Sequence, residues 1–310
     1  MSLARSALLA MSRNQWLARQ MSQRAFARRA VRRFMPGEEP EDALAAAQEL
    51  SGGGLGTILT QLGENLTSLV DAEKVRDHYL WLIDIIAQRK LPAWPSVKPT
   101  QLGLDLSQDA CLANLETLAT RAEATGSMLW IDMEDSSYVD RTLALFRKLR
   151  ERHTRVGLAL QACLRRTPAD LDALQPLRPT IRLVKGAYLE PPHVAFPAKK
   201  DVDIAYVRLG DRLLELASRG EAFPIFGTHD LTIVDTLTER ARALKLPDRA
   251  WEIHMLYGIR AADQRRLAAA GRSVKTLISY GRSWFPWYMR RLAERPANVW
   301  FVLKSVMGDG

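Results

Sequence analysis

The chain has 310 residues, 47% hydrophobic and 25% charged, an ordinary composition for a soluble globular protein. No apolar run approaches the ~18 residues that a membrane-spanning helix needs, and Cys111 and Cys163 stand far apart, outside any metal-type spacing, as suits a reducing compartment. The net charge of +9 lies almost wholly in residues 1–37, where eight arginines occur with no lysine or acid, so the body is near neutral and ill suited to gripping a nucleic acid.

In that first segment Arg5, Arg13, Arg19, Arg24, Arg28, Arg29, Arg32 and Arg33 interleave with Leu8, Leu9, Trp16, Leu17, Phe26, Val31 and Phe34. This pattern predicts an amphipathic helical arm over residues 1–50 that packs on the main domain. An organelle transit peptide or a membrane-surface helix shares the same arginine-rich, acid-poor signature. The run SGGGLG then reads as a linker, and the second domain spans 51–310.

From there β-rich runs alternate with segments of helical period. Strands are predicted at 57–62, 93–98, 127–133 and 155–162, followed by helices near 71–89, 107–125, 137–152 and after Pro168. Further strands at 180–187, 222–228, 250–256 and 273–280 precede helices near 201–219, from His229 or Asp230, near 260–270 and near 282–294. The stretch NVWFVLKSVM predicts a last helix. Eight such units imply parallel pairing with right-handed crossovers, and in ~250 residues they favour a closed barrel over an open sheet. The expected fold class is therefore α/β, a distorted (βα)8 barrel with an N-terminal helical arm.

In such a barrel chemistry gathers at the carboxyl ends of the strands. Strand two ends in Lys98, strand three in Asp132 and strand four in Gln161. Strand five carries Arg182 within it and Lys185 at its end. Strand six ends in Thr228 and His229, strand seven in His254, Leu256 and Tyr257. The helix after strand eight places Arg290, Arg291 and Glu294 within about one turn. Cations outnumber carboxylates here, and paired arginines suit a carboxylate ligand. Arg182 and Lys185 would project into a polar mouth, where Asp132 or an anionic ligand neutralises them.

Other chemistries find less support. There is no His-x-His, His-Glu-x-x-His or cysteine cluster for a metal, no Gly-x-Ser-x-Gly elbow, and no dinucleotide glycine fingerprint after the first strand. His254 reads as a core or supporting histidine. A Schiff-base lyase using Lys185 is the rival enzyme class, and an arm that binds nucleic acid or membrane with the barrel as scaffold is the non-enzymatic one.

The segments VKPTQLG, IDMED, LALQA, RLVKGAY, FGTHD, LYGIR and YGRSWFPWYMRRLAE, in order and each in its own unit, resemble the proline dehydrogenase family in its short monofunctional bacterial form. The likeness covers roughly residues 55–300. It implies a barrel holding non-covalent FAD that oxidises L-proline to Δ1-pyrroline-5-carboxylate and passes electrons to a membrane quinone. It also implies a pyrroline-5-carboxylate dehydrogenase as partner, and a cytoplasmic site peripheral to the inner face of the membrane. Lys98, Arg290 and Arg291 would hold the proline carboxylate, with Asp132 beside the substrate and Arg182 near the flavin N5. Met133, Gln161, Val184, Lys185, Gly186, Ala187, Thr228 and His229 would line the flavin, while Tyr188, Leu256 and Glu294 complete the pocket. Leu277 departs from the family, whose members often carry a tyrosine there, and this puts selectivity against hydroxyproline in doubt.

Overall fold

Each of eight short apolar runs finds a parallel neighbour on both sides, and the sheet closes on itself in sequence order. The computed structural model describes residues 30–63 and 66–294, with a few positions between 11 and 24. Its first four strands are β1 (Gly56–Gln61), β2 (Ala93–Val97), β3 (Leu129–Ile131) and β4 (Val156–Gln161). The others are β5 (Thr180–Val184), β6 (Phe223–Gly227), β7 (Glu252–Leu256) and β8 (Val274–Tyr280). All eight coincide with the expected runs to within three residues at either end.

The helices are α1 (Pro40–Gly52), α2 (Leu69–Gln88), α3 (Gln108–Ala124), α4 (Val139–Arg150) and α5 (Thr167–Leu174). They continue as α6 (Lys199–Ser218), α7 (Leu231–Ala243), α8 (Ala261–Ala269) and α9 (Trp284–Glu294). Local chemistry sets several starts. The Ser68 and Ser107 hydroxyls accept from the Asp71 and Ala110 amides, satisfying donors that open α2 and α3. Pro168 sits in the first turn of α5, where no amide donor is needed.

Strand residues alternate strictly between two environments. Leu59, Val97, Ile131, Leu158, Leu183, Ile253 and Ile278 point outward into the main core beneath the helices. Their neighbours point into the barrel, where Ile58, Trp130 and Ile225 pack with Trp94, Met128, Phe223 and Leu277. Gly157 lies in register with Trp130, and a Cβ there would sit 2.6 Å from the indole ring, so only glycine lets this large side chain enter the barrel.

Two helices depart from a regular barrel. Helix α1 packs across β1 and β8 through Ala43, Leu44, Ala46 and Ala47, the outer place that the helix after β8 would otherwise fill. The boundary expected at residue 50 therefore falls inside a helix of the barrel wall, and SGGGLG is the turn that closes it rather than a linker. Helix α9 instead joins a separate apolar cluster with Leu62, Leu189 and Ile259, which follow β1, β5 and β7. It therefore lies across the carboxyl-end mouth. Val31, Phe34 and Met35 of the arm are buried in the same cluster, in keeping with an arm that packs on the main domain. The helix expected in NVWFVLKSVM and most of residues 1–29 lie outside the described residues.

Candidate active site

The strand ends converge as charges. Lys98 and Asp132 are the residues that follow β2 and β3, and Lys98 Nζ donates to Asp132 Oδ2 at 2.9 Å. Arg182, on the interior face of β5, donates through Nη2 to the other oxygen of Asp132. Ser96, two residues before Lys98 and so on the same face of β2, donates to Asp132 Oδ1 at 2.9 Å and accepts from Arg182 Nη2 at 3.0 Å. Burial alone would raise the Asp132 carboxyl, but Lys98 and Arg182, with the bonds from Lys98 and Ser96, hold it below the usual carboxylate range. Two cations meet one carboxylate, so this triad keeps a net positive charge.

Arg182 is only 3% exposed. Its guanidinium lies 4.7 Å from the centroid of the Trp130 ring, whose edge contact to His254 has centroids 5.6 Å apart. A buried charge of this kind survives only when paired. Asp132 supplies the pairing, which answers why β5 carries an arginine in its middle.

Lys185 behaves differently from expectation. Its Nζ donates to Asp203 of α6 at 2.5 Å and to Asp230 at 3.2 Å, away from the Asp132 triad. The period of two explains this: Arg182 and Val184 face inward, so the next residue turns toward the helices. Lys185 keeps a place at the rim through its main chain, where its carbonyl accepts from the Cys163 amide at 2.9 Å.

The remaining expected residues gather at the same rim. Gln161, Val184 and Gly227 are register partners at the ends of β4, β5 and β6. Met133 and Thr228 are buried, and the Thr228 hydroxyl accepts from the Asp230 amide at 3.1 Å. His229 Nε2 accepts from the Leu256 amide at 2.9 Å, tying β6 to β7. Leu256 and Leu277 are Cα partners and share the interior face. Above them the Arg290 guanidinium lies 5.5 Å from the Tyr188 ring centroid, and Arg291 lies 5.9 Å from that of Trp287. Glu294 ends α9, and its side chain lies outside the described residues.

Three features bear on a flavin. Arg182 Nη1 and Gln161 Oε1 are buried and have no hydrogen-bond partner among the described residues. An unmet donor and an unmet acceptor of this kind cost about 1–3 kcal/mol each, and the pyrimidine edge of a flavin offers the matching acceptor and donor. Gly186 has φ +102°, and a Cβ there would meet Cys163 Sγ at 2.3 Å and crowd the open Gln161 Oε1 at 2.9 Å, so only glycine fits against the end of β4 and leaves that oxygen uncovered. The residues present fit a flavin.

Several contributors were not singled out from sequence. Ser96 was hidden inside an apolar strand, although its spacing of two from Lys98 put it on the same face. Beneath the triad a second interior ionic layer appears. Lys275 Nζ donates to Glu252 at 2.8 Å and lies 3.9 Å from the Trp94 ring centroid, and His254 Nε2 is 3.0 Å from the same carboxylate. Burial, abetted by Arg182 and Lys275, pushes the His254 imidazole well down despite the opposing pull of Glu252. Below the ordinary imidazole pKa the unfolded chain therefore takes up a proton that the folded one refuses. Stability is expected to fall with falling pH from ~6.5 by about 1.4 kcal/mol per unit. Thermal melts from pH 7 to 5 should show that slope, and His254→Gln, which can still donate to Glu252, should flatten it; an unchanged slope would contradict the assignment.

The model of the family described as "Proline dehydrogenase" matches residues 43–304 of this chain. The chain belongs to the proline dehydrogenase family. It is 35% identical over 277 residues to proline dehydrogenase 1 of Bacillus subtilis strain 168, covering 89% of this chain and 90% of that one. With the proline dehydrogenase of Deinococcus radiodurans it shares 36% over 280 residues, 89% of each. Among solved structures it is similar to proline utilization A of Bdellovibrio bacteriovorus inactivated by N-propargylglycine, with TM-score 0.81 and 20% identity. That likeness covers 93% of this chain but 38% of the larger one, and it concerns the fold. The D779Y mutant of Bradyrhizobium japonicum proline utilization A gives TM-score 0.74 and 25% identity, over 90% of this chain and 32% of that one. Family membership makes the protein an oxidoreductase of proline catabolism, the first step of that route. Among the described residues no helix is long and apolar enough to cross a membrane.

Proposed function

We propose that the mouth of this barrel oxidises L-proline to Δ1-pyrroline-5-carboxylate with non-covalent FAD. The observation that carries this reading is the Lys98–Asp132–Arg182 chain, cationic overall, with a second guanidinium nitrogen of Arg182 still open for bonding. FAD held there would supply the acceptor for the hydride that leaves proline C5, with the amine proton lost to complete the imine, and would pass the two electrons on to a membrane quinone.

The protein's own part is to seat and orient. Lys98, Arg290 and Arg291 hold the proline carboxylate, and Asp132 fixes the direction of the Lys98 ammonium. Arg182 would stabilise the charge arriving on the flavin. Leu256 and Leu277 give the pyrrolidine ring an apolar wall, closed by Tyr188. Met133, Gln161, Val184, Gly186, Ala187, Thr228 and His229 line the cofactor, joined by Lys185 through its main chain. A pyrroline-5-carboxylate dehydrogenase is the expected consumer of the product, and the basic arm is the segment suited to membrane contact.

Purified protein should be yellow, bleach when proline is added under anaerobic conditions, and regain its colour with a quinone. A colourless protein that takes up no FAD on reconstitution would end this reading. Leu277 carries a separate expectation. It is apolar, half-buried and less bulky than tyrosine, so a hydroxyl on the substrate ring meets no added obstacle there and turnover on hydroxyproline should approach that on proline. Leu277→Tyr should widen the gap between the two substrates by about tenfold, the scale of one changed pocket contact. Equal discrimination in both forms would refute it.

A further inference from the structure

Glu134 is buried, yet the roles above leave it unused. It stands two residues beyond Asp132, and its carboxylate reaches Thr100, two residues beyond Lys98. Thr100 donates to it twice, from the amide to Oε2 at 3.0 Å and from the hydroxyl to Oε1 at 2.6 Å. The arrangement runs parallel to the Lys98–Asp132 pair one step below.

Its placement matters because the sheet ends there. The last main-chain bond between these strands runs from the Asp132 amide to the Val97 carbonyl at 2.9 Å. Beyond it the two chains separate, the first into a 3-10 turn over Pro99–Leu102 that starts from Lys98. Glu134 caps that turn from across the gap. Its own carbonyl accepts from Gln161 Nε2 at 2.6 Å, which brings the end of β4 into the same lock.

We propose that Glu134 is a positioning residue for Lys98: its carboxylate, accepting two hydrogen bonds from Thr100, fixes the turn that aims the ammonium at the substrate carboxylate. Lys98 is thereby held on both sides, by the Val97 ladder bond before it and the Thr100 bridge after it. Without the bridge the turn keeps the ties of Gln101 to Gln61 and Gly63 and of Asn114 to Leu102 but loses its hold on the β3 side next to Lys98. A displacement of about 1 Å at such a site can cost up to about a hundredfold. The effect belongs to substrate affinity, since Glu134 touches Thr100 rather than reacting atoms.

The inference rests on the carboxylate-clamp reading of Lys98, so Lys98→Ala serves as the reference. Glu134→Ala should raise the KM for proline about tenfold with kcat within about threefold, a smaller loss than full displacement would give. It should weaken binding of cyclopentanecarboxylate, a ring acid with no oxidisable amine, to a similar extent by calorimetry on the holoenzyme. Glu134→Gln should restore both values, because its amide oxygen accepts from the Thr100 amide and the Thr100 hydroxyl can turn to accept from the new NH2. Unchanged KM and binding in Glu134→Ala, or a Glu134→Gln variant as impaired as Glu134→Ala, would overturn the inference. A Lys98→Ala variant with unmoved KM would instead remove the clamp reading on which it stands.

Discussion

Asp132→Ala is expected to lose at least about a hundredfold in kcat/KM and about 3–5 kcal/mol of stability, the usual cost of leaving a buried charge without its partner. Three groups depend on this one carboxylate: Lys98 Nζ, Arg182 Nη2 and the Ser96 hydroxyl. Removing it leaves Arg182 as an uncompensated charge at 3% exposure, packed on Trp130. It also releases Lys98 from its aim. Asp132→Asn should recover part of the stability by keeping the Ser96 bond, but little of the activity, since an amide does not offset two cations. Flavin should stay bound in both variants, because Gly186, Gln161 and the rim of β6 are untouched. Denaturant unfolding, flavin absorbance per mole of protein and proline kinetics together check this. Full activity in Asp132→Ala would show that this carboxylate does not serve the substrate site.

The second large effect concerns α9. Arg290→Lys and Arg291→Lys should each raise the KM for proline by about 10- to 100-fold, the worth of a charge-assisted bond of about 1.5–3 kcal/mol. Lysine keeps the charge but not the planar fork that grips both oxygens of a carboxylate. At Arg290 the substitution also removes a guanidinium seated 5.5 Å from the Tyr188 ring centroid. The fold should tolerate both changes, because α9 is anchored through other residues. Trp284 Nε1 donates to Glu38 at 3.0 Å, and Arg282 pairs with Glu39 at 2.8 Å, so the start of the helix is bound to the end of the arm. Trp284, Phe285, Trp287 and Tyr288 are buried with Val31, Phe34 and Met35, and full burial of such side chains contributes roughly 1.5–3 kcal/mol each. Steady-state kinetics on proline decide the matter, and a KM shift below about twofold in both variants would argue against a carboxylate clamp on this helix.

The Schiff-base alternative loses its nucleophile in the structure. Lys185 was its only candidate, and that ammonium donates to Asp203 and Asp230 on the helix side of β5. Lys98 and Lys275 reach the interior, but Lys98 donates to Asp132 and Lys275 to Glu252. Among the described residues the interior lysines thus serve as ion-pair partners. The basic charge concentrated in residues 1–37 leaves the barrel itself near neutral, with its cations gathered where the strands end.

The amino-acid order alone determined the eight β-α units, the direction in which their ends face, and Lys98, Asp132 and Arg182 as neighbours. Parallel strands joined by helices admit one handedness, and a closed barrel turns every strand end to one rim. Residue motifs at those ends also carried the family. Which charge meets which was decided by the tertiary structure. Lys185 turned outward to α6, α1 took a place in the wall, Glu252, His254 and Lys275 formed a second layer, and Glu134 bridged to Thr100. Each of these depends on strand register and on which helix covers which strand. The alternation along β5 turns Lys185 outward, but the partners that it and the other groups meet are set by packing among elements far apart in the chain.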